Sequence, residues 1–284
     1  MAEERAVAAN AAKSRPDLAS ILGLVVALGG IVGGLLLEGG KLKDIGQFTA
    51  AMIVMGGTMG AVMISTPMSV LKGAGRRLMG VLTDRTPPLD TILDEIIGYA
   101  TKARKRGLVS LEQDADQVQD PYFRKALNLA VDGTDMQELR SMMELEIALD
   151  QHRAEAEAKV FENAGGYAPT VGIIGAVLGL IQVMKNLANI DEVGHGIAVS
   201  FVATVYGVGA ANLLFLPSAT KIKSRAQAET QRQELILEGI CGIVEGLNPK
   251  LLRSKLEPFT HGHSPAKMVA ETDRSEAATA DVEA

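Results

Sequence analysis

Four long apolar stretches alternate with polar segments along the chain: residues 18–37, 45–66, 168–187 and 197–216. Each has about 20 residues, enough for a helix to cross a hydrocarbon layer of about 30 Å. Helix-spaced glycines in the first two stretches favour close packing of helix backbones in a membrane. We therefore predict an all-α membrane protein whose four transmembrane helices form two hairpins.

The segment between the hairpins is highly charged but keeps a helical spacing of apolar residues. One apolar face recurs through residues 92–100, as expected for a helix that packs against a neighbour. Residues 110–113 and 134–137 have the pattern of capping boxes, which begin helices. The residues on the apolar face are Ile92, Leu93, Ile96, Ile97 and Ala100. We predict a compact helical domain between transmembrane helices 2 and 3.

The chain beyond the fourth apolar stretch divides into two parts. Residues 218–247 have an intermittent apolar face and predict one long helix, which Asn248 and Pro249 end. From residue 260 onward, Ala, Glu, Asp, Ser and Thr predominate, so this part cannot bury enough apolar surface to fold. We predict a long helix followed by a disordered tail.

Basic residues set the expected orientation, because they accumulate on the cytoplasmic side of membrane helices. Most basic residues lie at the ends of the apolar stretches that face away from the two short hairpin loops. Those loops hold only Lys41, Lys43 and Lys185. Both termini and the middle segment are therefore expected in the cytoplasm. The predicted segments are a cytoplasmic N-terminus (1–17), a transmembrane hairpin (18–67), a cytoplasmic helical domain (68–166), a second transmembrane hairpin (167–217), a cytoplasmic helix (218–259) and a disordered tail (260–284).

A basic N-terminus before an apolar run is also the form of a secretory signal peptide. Here the apolar run is long for a signal core, and residues 35–38, Leu-Leu-Leu-Glu, offer no cleavage site between small residues. A retained first transmembrane helix is the preferred interpretation.

Composition narrows the classes of function. The net charge of -6 excludes a nucleic-acid binder that relies on bulk positive charge. The single cysteine, Cys241, permits no internal disulfide and is expected to be a buried, inert thiol. The sequence contains no metal-ligand cluster, phosphate-binding glycine loop or nucleophile motif. We therefore predict no enzyme activity, no bound metal and no cofactor.

The second hairpin combines small polar side chains with an absence of charge. Apart from Lys185 at the loop end, neither of its spans contains an ionisable Asp, Glu, Lys, Arg or His. A charge at the bilayer centre is costly, so proteins that relay ions keep one only where it works. If this hairpin conducts ions, a partner must supply the carboxylate, with Thr170, Thr204 and Tyr206 offering oxygens around it. These hydroxyls could instead bond their own helix or a neighbouring one.

The order of segments and three motifs resemble the MotA family, the flagellar motor stator A subunits. The similarity extends over about residues 18–250, and the motifs are YAPTVGIIG at 167–175, ATVYG at 203–207 and LPS at 216–218. The resemblance implies an inner-membrane subunit that serves flagellum-dependent motility. It also implies a pentameric ring of A subunits around a dimer of a MotB-type B subunit, whose single helix carries the ion-binding aspartate.

The resemblance also implies roles for particular residues in torque generation. Arg104 and Glu112 match the positions that face charged residues of the rotor protein FliG, and Pro169 and Pro217 match prolines that couple ion passage to movement. Other interpretations stay open. Arg104 could be a solvated charge, and a carboxylate at Glu112 is favoured at a helix start in any case. Prolines also suit the first turn of a helix or a point just past its end.

The transported ion is expected to be a proton. The ion-path residues implied by the resemblance are Thr170, Ala176, Thr204 and Tyr206. Sodium-type relatives tend to carry a threonine where this chain has Ala176. Sodium needs several oxygen ligands, whereas a proton needs one carboxylate and a route to it.

Three rival interpretations remain at this stage. An ExbB- or TolQ-type energy transducer for outer-membrane processes has a similar membrane core, but such relatives have one crossing before the cytoplasmic domain, and two are predicted here. A solute transporter would be expected to show repeated halves, and none is visible. A membrane scaffold does not explain an uncharged hairpin dotted with polar side chains. The preferred hypothesis is a stator subunit that couples ion flow to torque.

Overall fold

The computed structural model describes residues 15–81, 83–84 and 88–260, most of which are helical. Residues 1–14 of the predicted N-terminal segment and residues 261–284 of the predicted tail lie outside the described residues. The helices are α1 (Leu18–Leu37), α2 (Leu42–Ile45), α3 (Phe48–Ser65), α4 (Met68–Val81), α5 (Leu89–Arg106), α6 (Glu112–Ala115), α7 (Pro121–Val131), α8 (Met136–Lys185), α9 (Ile190–Gly209), α10 (Leu216–Val244) and α11 (Pro249–Thr260).

Two short irregular segments and one strand pair complete the described elements. A 3₁₀ turn, Leu108–Leu111, connects α5 to α6, and a π-helical segment, Ala210–Phe215, connects α9 directly to α10. Strands β1 (Arg15–Pro16) and β2 (Thr83–Asp84) pair antiparallel. With two residues each, these strands leave the protein in the all-α class.

Long apolar helices are the main feature of the described chain. Three are long and apolar enough to cross a membrane: Phe48–Ser65, Met136–Lys185 and the run Ile190–Val244. A further apolar stretch within α1, Ile21–Leu37, is shorter. The helix α1 itself has the bounds that the apolar pattern predicts. The described chain is thus mainly helical, and several of its apolar helices are long enough to cross a membrane.

Helix α8 is longer than the apolar pattern alone indicated. It runs for 50 residues without a break, and α9 continues through the π segment into α10. The helices therefore pass through the segment boundaries drawn at residues 166 and 217. The loop expected between the apolar stretches 168–187 and 197–216 is shorter than predicted, because α9 already begins at Ile190. The Asn189 side chain caps this helix by accepting a hydrogen bond from the Asp191 backbone N–H at 3.2 Å.

The chain divides into two compact units, Met1–Arg85 with His152–Arg225, and Thr86–Gln151 with Ala226–Ala284. In the first unit, α3 buries one face at residues spaced by four, as a helix packed on a neighbour does. Ala50 and Val54 on this face pack with Val202 and Ala203 of α9. This contact joins the second apolar helix to the fourth.

The second unit has a large apolar core built from α5 to α8, α10 and α11. The predicted face of α5 is confirmed, since Ile92, Leu93, Ile96 and Ala100 are all buried there. Cys241 is fully buried in the same core, and burial raises the pKa of its thiol. The prediction that Cys241 is buried is therefore confirmed. Its low reactivity stays a prediction, which the raised pKa supports because the thiolate is the reactive form.

Both predicted capping boxes differ from the structure. Ser110 lies inside the 3₁₀ turn and donates to the Gly107 carbonyl at 2.7 Å, because the chain turns directly after Gly107, whose φ is +81°. The cap of α8 is Asp135, one residue after Thr134, and it accepts from the Gln137 N–H at 2.9 Å. A carboxylate is favoured at a helix N-terminus by the helix dipole, which explains the preference for Asp135.

Asp120 both caps α7 and pairs with a buried arginine. One carboxylate oxygen accepts from the N–H groups of Tyr122 and Phe123 at 2.9 and 3.0 Å, and the other pairs with Arg232. Arg232 is only 7% exposed. We expect Asp120→Ala to destabilise the second unit by about 3 kcal/mol, because it removes the cap and leaves a buried charge. The neighbouring Glu229, which also pairs with Arg232, limits the loss.

Hydrogen–deuterium exchange of the detergent-solubilised protein measures this effect in the amides of α7. Asp120→Asn is the matched control, because its amide oxygen still caps the helix while the charge is lost. We expect Asp120→Ala to lose more protection than Asp120→Asn, and both to lose more than an exposed variant such as Gln119→Ala. Equal protection in the two Asp120 variants would contradict a contribution from the cap.

Candidate functional site

The helices α8 and α9 approach each other closely along a row of glycines. A Cβ atom added to Gly172 would lie 3.0 Å from the Ala203 carbonyl oxygen, and one added to Gly207 would lie 2.6 Å from the Ala168 carbonyl oxygen. These neighbours are backbone atoms, so they cannot move without separating the helices. The absence of side chains at both glycines is therefore what lets the two apolar spans form a tight hairpin.

The hydroxyls of Thr170 and Thr204 bond their own helices. Thr170 donates to the Tyr167 carbonyl at 2.8 Å, and Thr204 donates to the Ser200 carbonyl at 3.2 Å. Such bonds satisfy the hydroxyl proton while leaving the oxygen able to accept. Both side chains can therefore still offer an oxygen to a proton or a protonated partner.

The structure brings two of the predicted ion-path residues close together. The Ala176 carbonyl accepts a hydrogen bond from the Ser200 hydroxyl at 2.8 Å, and the Thr204 hydroxyl bonds the same serine's carbonyl. Ala176 and Thr204 thus lie on facing turns of α8 and α9, linked by Ser200. Thr170 makes no hydrogen bond to this cluster among the described residues, and its side chain is exposed.

Tyr206 points away from this cluster. Its hydroxyl donates to the Ile45 carbonyl and accepts from the Gln47 N–H at 3.4 Å. The tyrosine thus fastens the segment between α2 and α3 to the fourth apolar helix. An ion-path role for Tyr206 stays a prediction, and the structure adds this anchoring contact, which the sequence did not indicate.

Both predicted coupling prolines lie within continuous helical runs. Pro169 lies in the interior of α8, and so it is neither in the first turn of the helix nor past its end. Proline lacks an N–H and its ring clashes with the carbonyl four residues earlier, which weakens the helix locally. Pro217 is the second residue of α10, which begins directly after the π segment. Within that segment, the Asn212 side chain donates to the Val208 carbonyl at 2.9 Å. π segments of this kind occur where a helix bends.

Arg104 and Glu112 lie in the second unit and are both exposed. Among the residues that the structure describes, neither side chain makes a hydrogen bond or an ion pair. Lys102 and Asp114, which lie on either side of these two residues in sequence, form an ion pair at 2.5 Å that holds the end of α5 against α6. The two charges therefore project from a braced turn and are free to meet charges on another protein.

Sequence reasoning missed two buried polar residues of the first unit. Ser200 is 5% exposed, and Glu157, at 7%, pairs with Arg77. A Cβ atom at Gly73 would overlap the Glu157 side chain, so this glycine makes room for the pair. No local pattern marks either residue, because both gain their roles from segments far away in sequence. Among the described residues there is no group of three metal-binding side chains.

Two family models match the chain. The model of the MotA/TolQ/ExbB proton channel family matches residues 114–235, and the model of the motility protein A N-terminal region matches residues 21–105. The chain is 33% identical over 242 residues to motility protein A of Bacillus subtilis (strain 168), which covers 84% of this chain and 89% of that relative.

Solved structures agree with these matches over most of the chain. The structure of C. jejuni MotAB superposes with a TM-score of 0.83 at 32% identity and covers 88% of this chain and 98% of that one. The flagellar MotAB stator complex from Bacillus subtilis superposes with a TM-score of 0.79 at 30% identity, covering 89% and 98%. The chain therefore belongs to the MotA/TolQ/ExbB proton channel family and, within it, is a flagellar motor stator subunit of the motility protein A type.

Proposed function

We propose that this stator subunit forms the polar but uncharged part of a proton path, and that a MotB-type B subunit supplies the titratable aspartate. The observation that carries the proposal is the packed pair α8 and α9, whose apolar spans hold hydroxyls but, apart from Lys185 at the loop end, no Asp, Glu, Lys, Arg or His. The MotAB composition of the similar structures supports a partner of this kind. No bound cofactor or metal is needed, since the proton is the transported species.

The proposed topology has four crossings of the bacterial inner membrane, with both termini and residues 68–166, which include the first part of α8, in the cytoplasm. The three membrane-length helices and the shorter apolar stretch of α1 support it, as does the distribution of basic residues. Five copies are proposed to form a ring around a B-subunit dimer. Large exposed apolar side chains on α8, including Ile173, Val177 and Ile181, are available for such contacts and for lipid.

The proposed mechanism couples neutralisation of the partner's aspartate to a step of the ring. The aspartate takes up a proton near Ala176, Thr204 and Pro169, which removes its charge and changes its fit to α8 and α9. A charge that crosses about 100 mV releases about 2.3 kcal/mol for this work. Pro169 and Pro217 weaken their helices where bending is needed. The step then carries Arg104 and Glu112 past charged residues of the rotor protein FliG.

Deletion of the gene tests the stator role. We expect complete flagellar filaments that do not turn, and recovery of swimming when the wild-type chain is supplied. A swimming strain with a damaged outer membrane would favour the energy transducer instead. If a second stator set supports swimming, the same test applies to the double deletion.

Proton coupling predicts how swimming depends on ions. We expect speed to be unchanged when sodium is replaced by potassium, because Ala176 supplies no side-chain oxygen for a sodium ion. A protonophore should stop the motor at the same sodium concentration. Swimming speed tracked by microscopy measures both effects, and a strict requirement for sodium would refute proton coupling.

A further inference from the structure

Ser200 differs from the other hydroxyl residues of α8 and α9 in joining the two helices. Its Oγ lies 2.8 Å from the Ala176 carbonyl oxygen of α8 and 2.9 Å from the Gly196 carbonyl oxygen of its own helix. By comparison, Thr170 and Thr204 each bond a carbonyl of the helix that carries them. Ser200 is 5% exposed, so both of its possible hydrogen bonds lie in an apolar interior.

A serine hydroxyl has one proton and here has two acceptors within reach. A buried hydroxyl must donate that proton, since leaving it unbonded in an apolar interior is costly. When Ser200 donates to Ala176, α8 and α9 are joined. When it donates to Gly196, the helices are released but the hydroxyl stays satisfied. The cross-helix bond can therefore break and re-form at little cost.

The position of Ser200 places this bond at the proposed ion path. Ala176 accepts the cross-helix bond, and Thr204 donates to the carbonyl of Ser200 itself. Gly179 leaves the space that the Ser200 side chain fills, because a Cβ atom there would overlap Oγ. Any relative shift of α8 against α9 at this level must change the Ser200 bond.

We propose that Ser200 is a positioning residue for ion transfer, whose reversible hydrogen bond to Ala176 holds α8 and α9 in register beside the ion path. The proposal rests on the proposed function of this hairpin. It assigns Ser200 no contact with the ion. Its effect is on the rate at which the two helices return to the geometry that receives the next proton.

The matched variants are Ser200→Thr and Ser200→Val, which have nearly the same shape and differ in the hydroxyl. They are supplied to the deletion strain, and the rotation of a small bead on a flagellar stub is measured at low load and near stall. We expect the speed per stator unit at low load to be about threefold lower for valine than for threonine, the effect of one interhelical hydrogen bond in a membrane protein. Stall torque and the number of stator units per motor should be equal.

Thr220→Val is the control, because, within the described part of the chain, the Thr220 hydroxyl bonds only the Leu216 carbonyl of its own helix. It should leave low-load speed unchanged. Equal low-load speeds for the two Ser200 variants would overturn the proposal. A loss of stator units or of stall torque that accounts for the slower valine variant would also overturn it, since the role would then be structural. If the wild-type chain fails to restore rotation, the proposed function itself is wrong and this inference falls with it.

Discussion

Gly207→Ala is expected to abolish swimming, although it adds only one methyl group. The added Cβ would lie 2.6 Å from the Ala168 carbonyl oxygen and 3.1 Å from the Gly172 Cα. Both atoms belong to the backbone of α8, so the strain is relieved only if α8 and α9 move apart. Overpacking of this kind costs about 1–3 kcal/mol, and here it also displaces Ala176 from Thr204. Colony expansion in soft agar and tracking of single cells measure the loss.

Gly209→Ala provides the matched control on the same helix. Apart from its chain neighbours and the backbone of its own helix, no atom of the described residues lies within 4 Å of a Cβ built at Gly209, and its φ of -62° suits alanine. We expect it to swim like the wild type and to reach the same level in the membrane. If Gly207→Ala also swims normally at a normal membrane level, close packing of α8 on α9 is not required for motor function.

Much of the architecture could be predicted because it depends on local patterns. The bounds of α1 and the buried face of α5 follow from apolar length and helical spacing, which do not depend on what the helices contact. The boundary between a predicted transmembrane helix and the polar helix that continues it was harder to predict. A helix can continue unchanged from lipid into water, so the loss of apolar character near residue 166 marks no break in α8.

The partners of polar side chains could not be predicted in the same way. Thr204 and Ser200 are both small hydroxyl residues of the fourth span, yet one bonds its own helix and the other also reaches α8. The difference depends on which face of α9 meets α8, and hence on the packing of Gly172 and Gly207. The pair of Arg77 and Glu157 likewise joins positions 80 residues apart. Pairings of this type are set by tertiary structure.

The residue roles implied by the family resemblance were predicted only in part: the sequence identified the residues, and the structure shows their surroundings. Pro169 lies in the interior of α8 and not at a helix end, as its sequence context also allowed. A missing N–H weakens a helix in its interior. For Tyr206, it shows a hydroxyl already bonded to Ile45. For Arg104 and Glu112, it shows exposed charges without partners among the described residues, a state in which they contribute little to folding.

Reversing both of these charges should therefore paralyse the motor without unfolding the protein. We expect the double variant Arg104→Glu and Glu112→Lys to reduce swimming at least about tenfold, because in the proposed rotor contact each new charge would face a like charge. Stator assembly and membrane level should be unchanged, since neither side chain has an internal partner to lose. Fluorescent stator foci, immunoblots and tethered-cell rotation separate these quantities.

The exposed pair Lys125 and Glu146 supplies the control for charge reversal within the same unit. These residues pair with each other at 2.5 Å, so Lys125→Glu with Glu146→Lys keeps the internal ion pair while reversing both surface charges. We expect this variant to swim normally. Equal paralysis by the two double variants, neither of which changes the net charge, would mean that the effect is not specific to Arg104 and Glu112. Normal swimming by the Arg104 and Glu112 variant would place the rotor contact elsewhere, because a like-charge contact at the rotor could not leave torque intact.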